Sequence, residues 1–415
     1  MKKSDLPRAV SSIVKKTPVL DVHTHLYSAP FGGLLLWGID ELLTYHYLIC
    51  ETLINAPMPY SKFYAMSKRK QADYVWETLF VRNTPVSEAT RGVVTVLKAL
   101  GFSPRKVTLK KVRESLASMT ASQYIDFVLK KANLEAVVMT NDVFDAEEQA
   151  VWARRTRGRA GDDPRFLAAM RIDGLLNDWP GAAPRLRKAG YKVKAKLDAT
   201  TGKEVRRFLS DHADRMKPVY MAASLPPTFQ YPERSDRGAL LERCVLPFSR
   251  RRALPFAMMI GVKKLINPPL ELAGDGLGKA DIGALERLCE RNPDNKFLVT
   301  YLSRENQHEF AVTARKFHNL MVFGCWWFLN IPSVITEMTS ERIELLGPRF
   351  VPQHSDARVL DQLLYKWTHS RKVIGDVLTR KYADLIDAGW ALTPAEIRRD
   401  VTAMFSGNFK SFVGL

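Results

Sequence analysis

Short apolar runs, many rich in β-branched residues, recur along the chain. Most are bounded by turn residues and separated from the next run by a helical pattern. They cover residues 18–23, 136–140, 166–172, 219–223, 256–262, 297–301, 320–323 and 350–352. Eight strands alternating with helices predict a parallel sheet, and eight is the number that closes a barrel. The expected fold class is therefore α/β, a distorted (β/α)8 barrel.

The first connection breaks the rhythm. Roughly 110 residues separate the first two strands, where a plain βα unit needs about 30. The stretch carries amphipathic helical patterns at 38–53, 89–100 and 122–132. It reads as a helical insertion over 27–133, packed on the barrel mouth. The Pro- and Gly-rich stretches at 225–227, 267–269 and 274–278 read as barrel loops, not interdomain linkers. The whole chain, 1–415, is then one domain, within the range of barrels that run past ~250 residues as a unit.

Composition narrows the picture. No run approaches the ~18 uncharged apolar residues that a membrane helix needs. The N-terminus is basic but lacks an apolar segment, so no signal peptide is read. Cys50, Cys244, Cys289 and Cys325 lie far apart without a C-x-x-C pair, which suits a reduced cytoplasm. The net charge of +18 has two readings: a field that draws in anionic substrates, or a solvated basic surface. The basic stretches at 68–70, 105–111, 154–159 and 250–252 form no motif with interleaved aromatics. Neither nucleic acid nor a membrane is expected as a partner.

Two constellations carry chemistry. His23-Thr24-His25 follows the first apolar strand directly. Residues two apart in an extended strand point to one side, so both imidazoles face one spot at the mouth of a barrel. Two neutral imidazoles there are natural ligands for zinc or a similar divalent ion. The second constellation, Gln353-His354-Ser355-Asp356-Ala357-Arg358, follows the last strand. First and last strands are neighbours in a closed barrel, so Asp356 can serve as the third ligand. A carboxylate beside a bound water can also shuttle protons. Arg358 keeps its charge and offers a bidentate fork to a carboxylate. His354 reads as a polar loop residue, with a partner to the ligands or a replacement ligand as the alternatives.

Five segments then come together in order: residues 21–26, Thr44-Tyr45-His46-Tyr47, Arg171-Ile172-Asp173, 323–328 and Ser355-Asp356-Ala357-Arg358. From about residue 18 to the end, this series resembles the uronate (glucuronate) isomerase family of the amidohydrolase superfamily. The resemblance implies an amidohydrolase-type barrel with one divalent metal, Zn2+ above all. It also implies interconversion of open-chain aldose and ketose forms of glucuronate, galacturonate or a related sugar acid. Carried over, His23, His25 and Asp356 would hold the metal, and Asp356, His46 and Tyr47 would be catalytic. Arg171, Arg358 and Trp327 would meet the substrate, with Lys264 standing where an arginine is expected. Met259 replaces a histidine of the fifth strand. A thioether is a poor ligand for a hard or borderline ion, so Met259 argues for a mononuclear site. The expected partners are a small sugar acid and further copies of the chain in a homo-oligomer. Metal-dependent hydrolysis or decarboxylation is the alternative chemistry, and a barrel that only binds a sugar acid is a third.

Overall fold

A computed structural model of the protein describes residues 1–154 and 163–415; most of the basic stretch at 154–159 lies outside them. Strand one is Val19–Asp21. Strand two is Leu134–Val138, resumed at Asn141–Asp142, and strand three is Phe166–Leu167, resumed at Met170–Arg171. Strands four to seven are Met221–Leu225, Phe256–Ile260, Phe297–Tyr301 and Leu320–Val322. Each of these pairs with the next in parallel.

The run predicted at 350–352 forms only one bridge, Phe323 to Val351. Pro352 has no N–H to extend the ladder. The ring nonetheless closes through backbone hydrogen bonds. The Asp356 N–H donates to the His23 carbonyl at 3.1 Å, and the His25 N–H donates to the Ala357 carbonyl at 2.7 Å. The predicted run 256–262 also bends earlier than expected. Gly261 sits at φ 120°, a backbone state that favours glycine, and Val262–Lys263 turns away to pair antiparallel with Gly276–Leu277.

Side chains alternate between two cores. Ala257, Met259 and Leu298 point into the barrel, while Phe256, Met258, Ile260, Phe297 and Val299 face the surrounding helices. Both faces are apolar, which is why these strands read as unbroken hydrophobic runs. Outside the barrel, the long helix Gln362–Asp387 is a hub for helices Leu6–Lys16, Glu88–Ala99, Ala121–Ala132 and Pro332–Leu346. Helix contact is close there: a Cβ on Gly92 would lie 2.8 Å from the Tyr365 ring.

The segment 27–133 divides in two. Helices Ile39–Leu43 and His46–Asn55 and the helix Tyr60–Tyr64 contribute residues to a cavity at the mouth. Helix Ala121–Ala132 instead packs on strand two, in the place of the ordinary helix of the first βα unit. No described helix is long and apolar enough to cross a membrane. All four cysteines are free thiols.

Candidate active site

His23 and His25 lie just beyond strand one, where the chain stays extended. Thr24 donates its N–H to the Val138 carbonyl of strand two at 2.9 Å, while His23 and His25 bond the opposite neighbour. This alternation turns both imidazoles to one side, with ring centroids 5.3 Å apart. Asp356 meets them from the last strand. One carboxylate oxygen, Oδ1, lies 3.4 Å from His23 Nε2 and 3.2 Å from His25 Nε2. One possible ligand atom from each residue falls within 4.8 Å of the others.

This corner fits a metal. His23 Nε2 and Asp356 Oδ1 are fully buried yet make no hydrogen bond, although buried polar atoms are almost always paired. Two imidazoles and a carboxylate form a donor set suited to zinc or a similar divalent ion. The tautomer of His23 follows from its neighbours. Its Nδ1 faces Tyr220 Oη and Thr140 Oγ1, both at 3.4 Å. Tyr220 donates its proton to the Val22 carbonyl, and Thr140 donates to the Thr24 carbonyl. Both hydroxyls can therefore only accept, so Nδ1 carries the proton and Nε2 keeps its lone pair for a ligand.

The last-strand loop is held in an unusual conformation. Asp356 has φ 49°, a left-handed state that aspartate tolerates better than most residues. The Ser355 N–H donates to Asp21 Oδ1 at 2.9 Å, and Trp367 donates to Asp21 Oδ2 at 2.8 Å. The buried Lys366 ammonium donates to the Ser355 carbonyl. Burial works to raise the Asp356 carboxyl, but the close approach of the His23 and His25 imidazoles outweighs it and holds the group well below its usual range. Burial, then the Arg358 guanidinium, pushes His25 down to about 3.

His354 lies in the loop, as expected, but is fully buried, with its ring 5.1 Å from that of His23 and both ring nitrogens unpaired. Gly324 makes room for it: at φ 72°, a Cβ there would lie 2.3 Å from the His354 ring.

Outward from the metal corner lies a cavity of about 600 Å³. His25, Tyr45, His46, Asp142, Arg171 and Arg358 are among the residues that line it. His46 opens helix His46–Asn55, and burial, then the Arg358 charge, lowers it to about 3, so the ring is neutral. Its Nε2 is buried without a partner. Tyr47 does not line this cavity. It stacks on Phe328 and meets the His46 ring edge-on, and its buried hydroxyl makes no hydrogen bond. Trp327, at φ 49°, packs edge-on to His46 at 5.9 Å.

The two arginines differ. Arg171 grips Asp173 with both arms of its fork, Nε to Oδ2 at 2.9 Å and Nη2 to Oδ1 at 3.0 Å. Among the described residues, the Arg358 guanidinium has no carboxylate within ion-pair distance; only its backbone N–H is engaged, by Gln362. Lys264 is largely exposed and paired with Asp275 at 2.6 Å. Tyr220, Thr140 and Lys366 carry no signal in the sequence, because their partners are brought to them by the closed barrel.

The full chain superposes on the crystal structure of a uronate isomerase from Bacillus halodurans with a TM-score of 0.97 and 52% identity, covering 100% of this chain and 97% of that one. The chain belongs to the uronate isomerase family. More distant matches share the fold. They are a uronate isomerase from Thermotoga maritima, at TM-score 0.75, 17% identity and coverage of 98% and 97%, and a glucuronate isomerase from Caulobacter crescentus, at 0.79, 15%, 99% and 94%. A putative metal-dependent hydrolase from Lactobacillus casei matches at TM-score 0.57 and 13% identity over 98% of this chain and 97% of that one. No family model matches the chain. As a uronate isomerase family member, this chain carries Met259, 2% exposed, in a small separate pocket that His23 and Asp356 also line.

Proposed function

We infer that the chain isomerises a hexuronate, glucuronate or galacturonate or a related sugar acid, between its aldose and ketose forms. The observation that carries this reading is the buried, unpaired pair of ligand atoms on His23 and Asp356, set in a chain that matches a uronate isomerase over its whole length. His23, His25 and Asp356 would hold one divalent metal, with zinc the best match to two imidazoles and one carboxylate. Such an ion would supply Lewis-acid chemistry to the sugar's oxygens.

The chain's own residues supply the rest. Asp356, kept ionised by its two imidazole neighbours, accepts a proton as it moves between the two carbons. His46 offers a neutral imidazole to the sugar, and Tyr47, expected to be catalytic, instead backs that ring from outside the cavity. Arg358, lacking a carboxylate partner in the protein, is the fork for the substrate's carboxylate. Arg171 lines the same cavity with its fork already occupied and serves the hydroxyl side. Trp327 walls the site, and Lys264 stands at its rim, tied to Asp275. Met259 supplies no hard-ion ligand and supports a mononuclear centre. We further propose that the protein works as a homo-oligomer in the cytoplasm and that 1–415 forms a single domain.

The test is proton NMR in deuterated buffer with glucuronate and galacturonate. The expected result is a ketose product together with deuterium at the carbon next to its carbonyl. Hydrolysis or loss of carbon dioxide from a sugar acid, without isomer formation, would overturn the reading.

A further inference from the structure

We propose that Asp142 binds a sugar hydroxyl and sets which hydroxyl pattern the enzyme accepts; this rests on the isomerase reading above. Asp142 ends strand two, at the barrel mouth, directly in register with Arg171 of strand three. Paired positions of a parallel ladder face the same way. Both residues line the cavity that also holds His25 and Arg358.

Charge divides this cavity. Arg171 is neutralised by Asp173, whose Oδ1 also accepts the Ser224 N–H at 3.1 Å. Asp142 therefore adds a negative charge that no cation grips, opposite in sign to Arg358. One of its oxygens, Oδ1, accepts the Phe144 N–H at 2.8 Å; the other has no partner among the described residues. A carboxylate oxygen can only accept, and a sugar hydroxyl is a donor that suits it. The same charge repels the substrate's own carboxylate. A sugar acid is thus steered with its acid group toward Arg358 and its hydroxyls toward Asp142.

The carboxylate is held in place before substrate arrives. The Asp142 N–H donates to Glu148 Oε1 at 3.0 Å. Glu148 is itself buried and accepts from Tyr27 Oη at 2.7 Å and Asn141 Nδ2 at 2.9 Å. With backbone and side chain both fixed, little ordering is left for binding to impose.

The experiment uses the metal-loaded, full-length enzyme with glucuronate and its 3-, 4- and 5-deoxy analogues. In the wild type, removing one of these hydroxyls should lower kcat/KM about 10- to 100-fold, the scale of one charge-assisted hydrogen bond. Asp142→Asn keeps the size, loses the charge, and should erase that preference, through KM more than kcat, with metal content unchanged. The proposal is overturned if the variant still discriminates like the wild type. It is equally overturned if no deoxy analogue loses more than about threefold on the wild type, a result that needs no variant to fold. An enzyme that isomerises no hexuronate at all would instead defeat the reading on which this rests.

Discussion

Where strand one meets the segment 350–358, the metal corner is braced from behind while its ligand atoms are left unpaired. Backbone hydrogen bonds align His23 and His25, Asp21 anchors the Ser355 N–H, and two hydroxyls set the His23 tautomer. Across the cavity, the outer wall stands on exposed material. Glu41 pairs with a half-exposed Lys68, and Leu272 is 46% exposed. The difference separates two tasks: the corner must hold an ion to within fractions of an ångström, while the wall must admit and release a substrate. Changes at the corner should therefore abolish chemistry, and changes on the wall should mostly alter binding.

The largest effect expected is at the corner. The double variant of His23→Ala with His25→Ala should lose both the metal and all activity, because a single carboxylate cannot retain the ion. Metal analysis showing full occupancy in this variant would contradict the assignment. Next comes Asp356→Asn, which keeps size but removes charge. Its turnover should fall at least ~10²- to 10⁴-fold, the range of general acid–base help. Near-normal turnover would remove Asp356 from the chemistry.

Moving outward, Arg358→Lys should lower kcat/KM roughly 10- to 100-fold, since a lysine keeps the charge but loses the fork. Arg171→Lys should cost only a few-fold by comparison, because its fork serves Asp173 and not the substrate's carboxylate. Equal losses from the two variants would erase the distinction between the arginines.

These expectations also mark how much the sequence disclosed. The eight apolar runs and the H-x-H after the first of them were legible because a parallel barrel leaves continuous hydrophobic strands and puts its chemistry at their ends. The last strand was harder: Pro352 reduces it to one bridge, so its presence rests on the motif that follows. The family resemblance supplied His46 and Tyr47, which alone would read as helix residues. Asp21 and Asp173 lay within quoted motifs, but their roles as anchors emerge only once the barrel closes. Thr140, Tyr220 and Lys366 belong to distant segments, and no local pattern marks them. The sequence places helix 121–132 with the mouth because amphipathic spacing shows that a helix buries a face, not which surface it buries it on.

The smallest effect concerns stability. His46 is held near 3 when folded, against about 6.5 when unfolded. The unfolded chain therefore binds a proton that the folded one does not, and stability falls as pH drops from about 6.5 toward 3. Replacing His46 with Phe should flatten the stability–pH curve across that window by up to ~1.4 kcal/mol per pH unit, measured by urea unfolding. An unchanged slope would show that the ring is charged or solvated in the folded protein.

The most direct measurement is a titration of zinc into the metal-stripped enzyme, followed by isomerase activity on glucuronate. One site made by His23, His25 and Asp356 predicts activity that rises linearly and breaks at one equivalent per chain. A break at two equivalents, or full activity before any metal is added, would contradict a single metal at the meeting of the first and last strands.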